Sequence, residues 1–119
     1  MVANNKCLCG FFIKELDEEL YKTETKIRTI DDKSTEDDWV DIEANVDRIK
    51  MAMNTAEQEC GINAKSAKAA YNRLVPSLPN IMTEQGRKSS IGIINRIHFE
   101  IYHSLDDCID TEKRSNKHE

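Results

Sequence analysis

Residues that break helices are scarce in this chain. Only 4 Gly and 2 Pro occur in 119 residues, and the two prolines, Pro76 and Pro79, lie almost side by side. Few breakers mean few turns, which favours a mostly helical protein. Long apolar runs are absent too. No stretch approaches the roughly 18 residues needed to cross a bilayer. The segment Cys7 to Ile13 is interrupted by Gly10 and followed at once by Lys14 and Glu15. It is too short for a secretory leader and has no small-residue cleavage site after it, so a cytoplasmic protein with no membrane attachment is expected.

Catalytic signatures are missing as well. Phosphate-binding loops, dinucleotide-binding glycine patterns, serine or cysteine triads and zinc-protease motifs do not occur. A conventional enzyme is therefore not expected, and neither is a cofactor. Histidine is limited to three residues. Glu100 and His103 form one Glu-x-x-His unit, but a di-metal bundle needs two such units and two further carboxylates, which only a second chain could complete. A surface i,i+3 pair is the simpler reading, and no metal is expected. The acidic stretch 31–43 lacks the twelve-residue spacing and central glycine of a calcium loop. Cys7 and Cys9 are too close together for a typical zinc pair, and Cys60 and Cys108 fall on helix stripes as small hydrophobes.

What the chain does have is periodicity. From Trp39 to Cys60 an apolar residue recurs at steps of three and four: Trp39, Ile42, Val46, Ile49, Met53, Ala56 and Cys60. Ile13, Leu16, Leu20, Thr23, Ile27 and Ile30 repeat the pattern, with Thr23 the polar exception. A mean period near 3.5 puts each set on one seam of an α-helix. The expected fold is all-α, an antiparallel helical hairpin extended to a four-helix bundle. The first helix is expected over about Phe11 to Ile30, with Asp31 to Ser34 as the loop. The second opens on Thr35 as cap with Asp38 as its capping-box partner, and closes at Gly61.

The third helix starts near Asn63, carries Ala67, Tyr71, Leu74 and Leu78 on one side, and is expected to break at Pro76/Pro79. A short helical turn is expected from Asn80 to Gln85 before Gly86. A cap at Ser89 or Ser90 then opens the fourth helix, striped by Ile94, Ile97, Ile101 and Leu105. Residues 1–10 read as a flexible N-terminus, 11–110 as one domain and 111–119 as a disordered tail.

Charge is grouped. The formal net charge is -5, yet residues 1–62 carry -7, residues 63–97 carry +5 and residues 98–119 carry -3. Two candidate surfaces follow. Asp37, Asp38, Trp39 and Asp41 form an acidic tip suited to docking on a basic partner. Lys65, Lys68, Arg73, Arg87, Lys88 and Arg96 form a basic set that would suit a phosphate backbone. A hydrophobic share of only 39 % is thin for a monomer, and self-association into a homodimer is expected.

The expected function is that of a small non-catalytic regulator, inhibitor or adaptor that binds another protein. A nucleic-acid-binding subunit using the basic set is the alternative. Ile, Lys and Asn, all with AT-rich codons, number 33 together, in keeping with a phage or another mobile element.

Overall fold

The computed structural model describes residues 10–117, with side chains through 106. Four helices follow in order: α1 (Gly10–Thr29), α2 (Glu36–Cys60), α3 (Lys65–Ser77) and α4 (Glu84–Lys117), with a 3₁₀ turn at Leu78–Asn80 between the last two. The fold is all-α, and no strand occurs among the described residues. Cys7, Cys9 and the N-terminal segment lie outside the described residues. Of 107–117 only the helical backbone is described; the Cys108 side chain and residues 118–119 of the expected tail lie outside the described residues.

The hairpin forms as the periodicity predicts. Asp38 accepts the Thr35 N–H at 2.9 Å and the Thr35 hydroxyl at 3.3 Å, closing the start of α2. Glu36, Asp37 and Asp38 place negative charge in the first turn, where the helix dipole favours it. At the other end Gly61 has φ 70°, and its N–H donates to the Glu57 carbonyl. A left-handed residue at that point is what glycine tolerates without a Cβ penalty. Thr23, the polar member of the first seam, is fully buried and donates to the Glu19 carbonyl at 2.8 Å. Its hydroxyl is thereby satisfied inside its own helix and leaves the seam apolar to its neighbours.

Helices α1–α2, α2–α3, α3–α4 and α4–α1 pack as neighbours. Each pair is antiparallel. Lys26 meets Asp41 near the first loop, Glu57 meets Lys68 near the second, and Ser77 meets Ser90 near the third. Arg87 at the start of α4 reaches the Ile30 carbonyl at the end of α1, whereas Tyr102 farther along α4 reaches Asp17 near the start of α1. The result is an up-down-up-down arrangement around one core. Leu16, Ile27, Ile42, Ile49, Met53, Leu74, Ile81, Ile94, Ile97 and Ile101 are shut off from solvent within it, and Cys60 joins them.

The N-cap of α3 is Ala64, not Asn63, whose side chain one residue earlier accepts the Lys65 N–H at 3.0 Å, and Ala67, Tyr71, Leu74 and Leu78 are buried. Tyr71 carries its hydroxyl across to the Val46 carbonyl of α2 at 3.2 Å. Pro76 lies inside the last turn of α3, and Pro79 in the 3₁₀ turn that follows.

The start of α4 departs from expectation. The helix begins at Glu84, ahead of Gly86 and of the expected caps Ser89 and Ser90. Thr83 does the capping: its hydroxyl accepts the Gly86 N–H at 3.0 Å, and its carbonyl accepts the Arg87 N–H at 3.0 Å. Gly86 is not a terminator here. A Cβ on it would sit 1.7 Å from the Asn80 carbonyl oxygen, so glycine is required for α4 to pass the 3₁₀ turn. Ser90, freed from capping, is buried and shares a 2.7 Å hydrogen bond with Ser77.

Candidate protein-docking surfaces

The acidic tip is present but partly consumed by the fold. Asp38 is committed to the cap of α2, and Asp41 pairs with Lys26 of α1 at 3.2 Å. Trp39 is half-buried and packs on the core. Asp37 and Val40 stay exposed.

The basic set is likewise largely engaged. Lys68 meets Glu57 at 2.5 Å, and this hydrogen bond holds the Glu57 carboxyl below the usual carboxylate range, with the Ala64 N–H helping at 3.2 Å against the opposing effect of burial. Arg87 points one nitrogen at three carbonyls: Ile30 at 2.9 Å, and Ile81 and Met82 at 3.1 Å each. That guanidinium terminates α1 and pins the 3₁₀ turn beside it. Lys88 pairs with Glu84 at 3.5 Å and Arg96 with Glu100 at 2.9 Å, the latter also lying over the Phe99 ring. Lys65 and Arg73 have exposed side chains with no ion pair among the described residues.

The Glu-x-x-His unit does not assemble a metal site. Glu100 serves Arg96, and His103 stacks on Phe99 with ring planes 6° apart. No group of three or more His, Cys, Asp or Glu suited to a metal gathers among the described residues. At the α1–α4 seam Asp17 joins His98 at 3.4 Å and accepts a hydrogen bond from Tyr102. That bond, with burial second, pushes the Tyr102 phenol up to about 12. The cluster ties α4 to α1.

One surface is not anticipated by charge grouping. On a face of the hairpin lined by α1 and α2 alone, an open groove runs between the two helices. Its larger part, about 550 Å³, is lined by Tyr21, Lys22, Thr25, Lys26, Asp41, Ala44 and Arg48 among others. A second part of about 230 Å³ continues past Arg48 to Phe12, Glu15, Glu19, Met51, Ala52 and Thr55. Tyr21 is 70 % exposed and Met51 65 %. Both fall off the apolar seams of their helices, which is the signal in the sequence that marks them. Arg48 stands at the junction and donates to the buried Asn45 side chain at 2.9 Å. One carboxylate oxygen of Glu19 is shut off from solvent with no hydrogen-bond partner.

No helix among the described residues is long and apolar enough to cross a membrane. Compared with family models, curated proteins and solved structures, the chain has no match in any of the three.

Proposed function

We propose that this chain is a non-catalytic regulator, inhibitor or adaptor of the cytoplasm, of the kind encoded on phages and mobile elements, and that it acts by docking another protein. The observation that carries the reading is the α1–α2 groove. The large exposed side chains of Tyr21 and Met51 stand in water beside it, and small residues such as Ala44 and Thr25 leave room between them. Exposed aromatic and methionine side chains ringed by paired charges are the composition of a protein interface core and rim.

The nucleic-acid alternative has less support, because four of the six basic side chains it needs are engaged within the fold. The experiment is photo-crosslinking in cells that make the protein, with a benzophenone residue at Thr25 in the groove or at Ala69 on the exposed side of α3. Protein adducts from position 25 and none from 69 are the expected result. Adducts from both positions alike, or from neither, would count against the groove as a docking surface.

A further inference from the structure

We infer that the α1–α2 groove receives an amphipathic helix of another protein, and that Arg48 and Asn45 bind a carboxylate carried near the midpoint of that helix. This rests on the reading of the groove as a docking surface and names the chemistry of its partner.

Most charges along the groove are already answered within the chain. Lys26 pairs with Asp41 at 3.2 Å, and Lys22 lies 3.9 Å from Glu19. Arg48 is different. Of the three bases lining the groove it alone has no ion pair among the described residues. Its side chain is nonetheless held, because Nη1 donates to Asn45 Oδ1 at 2.9 Å. The guanidinium keeps its other N–H groups, and such a fork matches the two oxygens of a carboxylate.

Asn45 adds a donor at the same place. It is 6 % exposed and lines the groove. With Oδ1 committed to Arg48, Nδ2 is the free end of the amide. That NH₂ group has no acceptor among the described residues and is still open to solvent. A nearly buried amide gains when its donors are bonded. A carboxylate on the groove floor beside Arg48 would take both donors and meet the guanidinium charge.

Charge selects the carboxylate over a phosphate chain. Once the internal pairs are counted, Arg48 leaves one positive charge at this point, enough for one carboxylate. A nucleic-acid strand would carry a row of phosphates past Glu15, Glu19 and Asp41, which repel it. Shape selects the helix. Arg48 lies at the junction of the two parts of the groove, so the carboxylate belongs at the middle of the occupant. From Phe12 to Thr29 the groove follows α1 for about 25 Å, the length of a helix of about 17 residues. Tyr21 on one side of Arg48 and Met51 on the other offer apolar contact to its flanks, while Ala44 and Ala52 let its backbone come close.

Peptide display on the full chain tests this. A library of helical peptides of that length, randomised on one face, is selected against the wild type, and the tightest binder is made as a free peptide. It is expected to carry Asp or Glu near its centre, and to shift the Asn45 side-chain amide and the Thr25 and Ala44 backbone amides in ¹H–¹⁵N spectra. Replacing that acid with its amide is expected to weaken binding about ten- to a hundredfold, the loss for a hydrogen-bonded charge. Arg48→Glu should lose the peptide by as much and recover binding to the form with Lys in place of the acid. Unchanged helical circular dichroism confirms that this variant folds.

A binder that occupies the groove without a central acid, or one indifferent to both changes, overturns the inference and leaves the groove standing as a docking surface. No binder at all, or binders that leave Thr25 and Ala44 unmoved, removes both. Displacement of the peptide by a single-stranded oligonucleotide at equal concentration would give the site to a phosphate chain and overturn the inference as well.

Discussion

Two glycines of one helix are expected to respond to the same substitution with opposite sign. Gly86 and Gly92 both lie inside α4. By helix propensity alone, each Gly→Ala change stabilises by about 0.5–1 kcal/mol, since alanine loses less backbone freedom on folding. Gly92 is exposed, and a Cβ there meets nothing within 4 Å. Gly92→Ala should therefore realise the gain. At Gly86 the new carbon would lie 1.7 Å from the Asn80 carbonyl oxygen and 2.4 Å from its carbon. These are backbone atoms, so no rotamer change relieves the clash. The 3₁₀ turn and the start of α4 must separate by more than 1 Å, roughly the span between that distance and ordinary contact. Such displacement puts the cost at the upper end of the overpacking range, about 3 kcal/mol, leaving a net loss near 2 kcal/mol.

Urea unfolding followed at 222 nm would show the difference. The two variants should bracket the wild type, about 3 kcal/mol apart, with Gly86→Ala the less stable. Gly86→Ala as stable as Gly92→Ala would refute the close approach of α4 to the 3₁₀ turn.

Two further perturbations test how the helices are tied. Arg87→Met removes the donor shared by the Ile30, Ile81 and Met82 carbonyls and should cost about 2–3 kcal/mol in the same unfolding assay, whereas a loss under about 0.5 kcal/mol would show the contacts to be idle. For Tyr102 the sign is set by a folded-state pKa raised to about 12 from the ordinary 10. Its contribution is full below pH 10 and lost as pH climbs from 10 through 12. The stability gap between wild type and Tyr102→Phe should shrink over that window, and a gap constant from pH 8 to 12 would remove the Asp17 clasp.

Much of the hairpin was legible because its signals are local. The three-four spacing from Ile13 to Ile30 and from Trp39 to Cys60, the Thr35–Asp38 cap and Gly61 each act within a few residues. The start of α4 was not legible, since Gly86 reads as a breaker until the Asn80 carbonyl is seen beside it. The same holds for Arg87 and Lys68. Counted in a basic segment they suggest a charged face, yet one caps α1 and the other meets α2, contacts made across long sequence separations. Of the acidic tip, Asp41 reads as a free charge because its pairing with Lys26 is made across the hairpin and is not visible in composition. Tyr21 and Met51 were readable as apolar residues off the seam, a weaker signal than the seam itself.

Chemical-shift mapping on the ¹⁵N-labelled chain puts the docking face to its most direct test. When the protein captured by the crosslink at position 25 is added, amide signals of α1 from Phe12 to Thr29 and of α2 from Asp41 to Thr55 are expected to move, while those on the outer sides of α3 and α4 stay in place. Shifts centred on Lys65, Arg73 or Phe99 instead, or none anywhere, would contradict the account.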